Sequence, residues 1–134
     1  MNEIIAEFIG TFLLILLGNG VVANVVLAET KGHNSGWIVI SLGWGLGVFV
    51  GVAVAGPVSG AHINPGVTLG LASAGLFPWI KVLPFVLAQM LGAMTGAFLY
   101  GFSIAIISTG PKIQQLSWLV FPLVLPFGKP GVIS

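Results

Sequence analysis

Cysteine is missing from this chain of 134 residues, and so are arginine and aspartate. Without cysteine there is no disulfide framework and no thiolate metal site, although the compartment stays open. Charged residues make up only 5% of the chain, against roughly 25% in soluble domains, which excludes an ordinary soluble fold. The formal net charge is +1 with no basic cluster, so neither nucleic acid nor an anionic lipid surface is a partner by charge. No cofactor and no metal are implied. What fills the chain instead is apolar: 57% hydrophobic residues and 20 glycines, with a mean hydropathy of +1.12.

Crossing the hydrocarbon takes about 20 apolar residues in a helix. Residues 4–28 meet that length, interrupted by Glu7, Gly18-Asn19-Gly20 and Asn24. The run opens Met1-Asn2-Glu3, without a basic n-region, and outlasts a signal-peptide core, so it reads as a retained span. Residues 37–56 form a second span that Pro57 closes, and residues 83–107 form a third. Between them, residues 57–76 hold a polar loop and an apolar stretch too short to cross, while Pro78 and Lys81 mark a polar connection. Residues 108–134 carry Pro122, Pro126 and Pro130 and read as a poor fourth span or a tail. The fold class expected is an all-α membrane protein with three transmembrane helices and one re-entrant half-helix. Gly43, Gly47 and Gly51 recur on one face of the second span, Gly92 and Gly96 on the third. Small residues at that spacing let helix backbones approach closely in lipid.

Ser59-Gly60-Ala61-His62-Ile63-Asn64-Pro65-Gly66-Val67-Thr68 is the one turn-rich stretch inside all this apolar sequence. Non-helical backbone persists at membrane depth only where protein buries it or a water-filled cavity solvates it. Asn64 followed by Pro65 writes a helix start: asparagine caps free N–H groups, and proline suits the first helical position. The helix so begun, 65–74, is half a crossing, with a partial positive charge at its N-terminus. Ser59 to Ile63 is expected to run extended, leaving the carbonyls of Gly60, Ala61, His62 and Ile63 free. Such a strip of acceptors suits a file of small neutral hydroxyl-bearing molecules, while the positive helix end and the Asn64 amide repel cations.

This decapeptide resembles the signature of the aquaporin and glycerol-facilitator family, in which an Asn-Pro-Ala box opens each of two half-helices. Ala6-Glu7-Phe8-Ile9-Gly10-Thr11-Phe12, Trp44-Gly45-Leu46-Gly47-Val48 and Ala88-Gln89-Met90-Leu91-Gly92-Ala93 resemble its first three spans, in the family's order. Residues 1–107 therefore resemble the first aquaporin-like repeat. The resemblance implies that Asn64 is the pore asparagine and that Gly60 to Ile63 supply the carbonyl strip. It implies that Trp44 is the aromatic of the outer constriction, where glycerol facilitators carry tryptophan and water-selective relatives more often phenylalanine. Glu7 then braces the loop through backbone N–H groups, and His62 packs beneath it. Each residue also has a plainer role: Glu7 near an interface, His62 a hydrogen-bonded packing residue, Trp44 an interfacial aromatic. Trp37 and Trp118, at span ends, suit that last role better. Ser59 with a histidine does not make an intramembrane protease, because His62 shares its loop and His33 lies outside the spans. An alternating-access transporter lacks the paired intramembrane charges that couple an ion gradient.

Two departures stand out. Gly66 replaces the usual alanine of the box, at about 1 kcal/mol of helix propensity. Only one box is present, with no arginine to complete a constriction, and residues 108–134 read as a divergent, truncated tail. The expectation is a passive, non-enzymatic channel for glycerol, water and other small neutral solutes in a bacterial plasma membrane, incomplete as a single chain. The alternative is a non-conducting fragment packed against full-length relatives. In either case copies are expected to self-associate, or to join a full-length relative, through the Gly43-Gly47-Gly51 and Gly92-Gly96 faces. Uniformly oriented single chains are expected not to conduct.

Overall fold

The computed structural model describes residues 1–28 and 30–107 as four helices. The expectations for residues 108–134 lie outside the described residues. Helix α1 is Glu3–Val26, α2 is Trp37–Ser59, α3 is Pro65–Ser73 and α4 is Trp79–Ile107. Three of the four, α1, α2 and α4, are long and apolar enough to cross a membrane. The nine-residue α3 is not; at 1.5 Å per residue it covers roughly half the hydrocarbon thickness. The largest exposed side chains are apolar, among them Trp37, Ile38, Phe49, Ile80 and Phe98. A soluble protein does not leave so much contiguous apolar surface to water. The chain is a multi-pass membrane protein.

Helix α1 begins where Asn2 accepts a hydrogen bond from Ile5 N–H at 2.8 Å, a side-chain cap that starts the span one residue before Ile4. Helix α2 does not stop at Pro57, as expected, but continues to Ser59. Proline fits helical φ, and losing one N–H and crowding the carbonyl four residues back does not end this helix; the stop comes at Gly60, left-handed at φ +84°, whose N–H returns to Gly56 O at 3.1 Å. Likewise α4 begins at Trp79 rather than residue 83 and carries Pro84 inside it. Lys81 is therefore not part of a connection: it lies in the first turn of α4 and pairs with Glu3 at 2.7 Å. Both partners are largely exposed, so the pair contributes little to stability.

Glycine explains the packing. A side chain at Gly43 would collide with Val21, one at Gly51 with Gly10 O, and one at Gly47 would rest on Leu14 O at 3.5 Å. Gly92 lies against Phe8 O and Gly96 against Phe12 O. These pairs run α2 antiparallel and α4 parallel to α1, which is the central helix. The expected association of copies through these faces is corrected accordingly, because α1 of the same chain already occupies them. Ala6, Ala55 and Ile63 form the buried cluster beneath the loop.

Candidate functional site

The link between α2 and α3 is four residues, Gly60 to Ile63, and it is not extended. Gly60, Ala61 and Ile63 all have positive φ, at +84°, +51° and +41°. For alanine, and more so for β-branched isoleucine, that region is sparsely allowed, at roughly 1–3 kcal/mol per residue. The reason is convergence. In an extended strand successive N–H groups alternate sides, but here His62 N–H and Ile63 N–H reach the same carboxylate. His62 N–H meets Glu7 Oε1 at 2.9 Å, and Ile63 N–H meets Oε2 at 2.7 Å. Consecutive N–H groups folded onto one anion in this way form a nest. Charge-assisted bonds worth about 1.5–3 kcal/mol each offset the strain.

Glu7 is fully buried and accepts two more bonds. Ser59 Oγ donates to Oε1 at 2.6 Å, and Gln89 Nε2 donates to Oε2 at 2.7 Å. Four donors face its two oxygens, within the acceptor capacity of a carboxylate. Ser59 Oγ also accepts Ala61 N–H at 3.1 Å. Every N–H from Ala61 to Ile63 is thus turned inward. Among the described residues, no hydrogen bond reaches the carbonyls of Gly60, Ala61, His62 or Ile63.

The second layer of the site ties the loop to α3 and α4. Gln89 Nε2 donates to Thr68 Oγ1 as well, at 2.9 Å, and Thr68 Oγ1 lies 3.2 Å from Asn64 O. His62 Nδ1 lies 3.1 Å from the same hydroxyl. When Thr68 donates to Asn64 O, Nδ1 is the donor to Thr68, and all three contacts are satisfied. The His62 ring is held edge-on by Phe77, with centroids 4.6 Å apart, and by Phe85 at 5.2 Å. The His62 ring is bonded at Nδ1 and packed against two aromatic rings. Gln89 lies ten residues into the 29-residue α4, about 15 Å from its start, which puts the first turn of α3 about a third of the way along that span.

Asn64 Oδ1 accepts Gly66 N–H at 2.7 Å, while Asn64 itself is exposed. The cap uses the oxygen and leaves Nδ2 uncommitted among the described residues. A Cβ at Gly66 would lie 3.1 Å from that capping oxygen, so the glycine leaves the cap unpressed where an alanine would push on it. Pro65 occupies the first helical position.

The structure therefore brings Glu7, Gly60, Ala61, His62, Ile63, Asn64, Pro65 and Gly66 together. Trp44 is elsewhere: it is half-buried on α2 with its ring over Gly18 of α1. It sits seven residues before Gly51, hence about 10 Å along the same helix face. Gly51 lies close against Ile63. Sequence reasoning missed Thr68 and Gln89 as site members, and Gly10, where a Cβ would lie 2.8 Å from Ile63 Cγ2. A signal was available, since a polar side chain inside a span is a functional candidate by default. Among the described residues no group of three His, Asp or Glu is placed to hold a metal.

Comparison with known proteins shows the family. The family model for major intrinsic proteins matches residues 1–117. A probable glycerol uptake facilitator protein of Thermotoga maritima is 46% identical, over 98% of this chain and 64% of the relative. The glycerol uptake facilitator protein of Streptococcus pneumoniae R6 is 52% identical, over 86% of this chain and 55% of the relative. The crystal structure of the aquaglyceroporin from Plasmodium falciparum superposes with a TM-score of 0.70 at 35% identity, covering 87% of this chain and 47% of that one. The chain thus spans between half and two thirds of the length of these curated relatives. It belongs to the major intrinsic protein family.

Proposed function

We propose that the chain forms one wall of a passive transmembrane channel for glycerol, water and other small neutral solutes. The observation that carries the reading is the polarised loop. Its Ala61, His62 and Ile63 N–H groups are spent on Glu7 and Ser59, and its four carbonyls accept no hydrogen bond among the described residues. Free acceptors at membrane depth need a solvated path, and a row of them passes hydroxyl-bearing molecules from one carbonyl to the next. Asn64 supplies donors at the end of the strip, beside the positive end of α3. Cations meet that positive end and stay out; neutral solutes do not. Trp44, about 10 Å away along α2, offers an apolar ring to the carbon face of a polyol. Transport needs no bond made or broken and no coupled ion. The relatives' names, glycerol uptake facilitators, favour glycerol as the solute.

A path needs a second wall facing the strip. We infer that a second Asn-Pro segment supplies it, from an inverted copy or from a separate stretch of chain. Stopped-flow light scattering of vesicles reconstituted with the chain tests the reading, since detergent reconstitution inserts copies in both orientations. Glycerol and water should enter faster than in protein-free vesicles, and Asn64→Asp should remove the glycerol component at equal protein. Entry at the lipid background would overturn the proposal and favour a non-conducting partner of full-length relatives.

A further inference from the structure

We infer that Gly18 is a positioning residue for solute selectivity: its missing side chain sets where the Trp44 ring stands. The inference rests on the reading of Trp44 as a wall of the channel and assigns what holds that wall in place. Gly18 is buried in α1. A Cβ built there falls inside the contact distance of three atoms of the Trp44 ring, Cζ3, Cε3 and Cη2, the last at 2.5 Å. All three belong to the six-membered half of the indole. Ordinary carbon contact is about 3.5 Å, so any side chain at position 18 drives the ring back by about 1 Å.

Parting the helices to absorb that push would open their close packing along its whole length. Either side of Trp44, α1 and α2 approach closely through glycine. A Cβ built at Gly43 would collide with Val21, one at Gly47 would rest 3.5 Å from Leu14 O and 3.7 Å from Gly18 N, and one at Gly51 would lie 2.8 Å from Gly10 O. Two of these involve backbone atoms, which do not move aside as a side-chain end does. The ring itself must therefore yield, and away from α1 is the direction left to it. On the channel reading that direction is the path, so the opening narrows. Narrowing by one ångström matters more to glycerol than to water, because selectivity among neutral solutes follows pore diameter.

The test compares glycerol and water permeabilities of reconstituted vesicles for the parent, Gly18→Ala, Trp44→Phe and the double variant, at matched protein. The readout is the ratio of the two permeabilities after subtraction of the protein-free vesicle background, which a loss of folded protein does not move. Gly18→Ala should lower the glycerol-to-water ratio by about tenfold, a barrier difference of about 1.4 kcal/mol. Phenylalanine lacks the ring atoms that meet position 18, so the double variant should match Trp44→Phe alone. That comparison also carries the test if Gly18→Ala does not accumulate in the membrane. A parent ratio in Gly18→Ala, or a double variant that differs from Trp44→Phe, would overturn the role of Gly18 while leaving Trp44 in the wall. An unchanged ratio in Trp44→Phe, or no flux in the parent, would overturn the wall reading and the inference with it.

Discussion

Replacing Glu7 by glutamine changes shape little and chemistry a great deal. The carboxylate accepts from Ser59 Oγ, His62 N, Ile63 N and Gln89 Nε2 at 2.6–2.9 Å. An amide has one acceptor oxygen and one donor nitrogen. With its oxygen toward Ser59 and His62, its NH2 faces the Ile63 N–H and the Gln89 NH2. Gln89 has an escape: its Oε1 is buried without a partner among the described residues, and flipping the amide presents that oxygen to the new donor. Thr68 Oγ1 then donates to Gln89 instead of to Asn64 O. Ile63 N–H has no escape, because the nest fixes its direction. One unpaired buried N–H costs about 1–3 kcal/mol. The three remaining bonds lose their charge assistance, at about 1 kcal/mol each. The sum is about 4–6 kcal/mol, a large part of the stability of an ordinary domain. Unfolding in mixed micelles, followed by the fluorescence of the four tryptophans, measures it. Glu3→Gln, which breaks only the exposed pair with Lys81, is the control and should cost about 1 kcal/mol or less. If Glu7→Gln unfolds within about 1 kcal/mol of the parent, the loop is not held by this carboxylate.

Other substitutions separate packing from the path. Trp44→Ala should reduce discrimination among polyols without admitting ions; retention of the parent's selectivity in a flux assay would make Trp44 a packing residue only. Gly92→Ala puts a methyl group against Phe8 O, a backbone atom that cannot move aside, and should cost about 1–3 kcal/mol by overpacking. Gly45→Ala meets nothing within 4 Å and should gain up to about 1 kcal/mol of helix propensity. The two changes in micelle unfolding should have opposite signs.

The three spans and the Asn64-Pro65 start were legible because hydropathy and cap chemistry are local. The ends of the spans were less so. Pro57 and Pro84 look like boundaries in sequence, yet both lie inside helices, since in lipid a lost N–H does not offer the chain a better, solvated alternative. The shape of the loop was not legible either. An Ile63 at φ +41° contradicts its own preference, and only a carboxylate 56 positions earlier in sequence makes it worthwhile. Thr68 and Gln89 were marked by their polarity, but the sequence did not show that folding places both around His62 and Glu7. The spacing of Gly43, Gly47, Gly51, Gly92 and Gly96 marked close packing but not the partner. Gly10 and Gly18 on α1 were the complementary half of that pattern.

The central claim is that the loop and Asn64 face an aqueous path, and the absence of native cysteine allows it to be tested directly. A single cysteine at Asn64 should react in reconstituted vesicles with a small water-soluble thiol reagent, and glycerol should slow that reaction. A cysteine at Phe49, which is 68% exposed on the apolar face of α2, should stay unreactive in lipid. An Asn64→Cys thiol as inert as the one at position 49, or one that glycerol does not protect, would contradict the account.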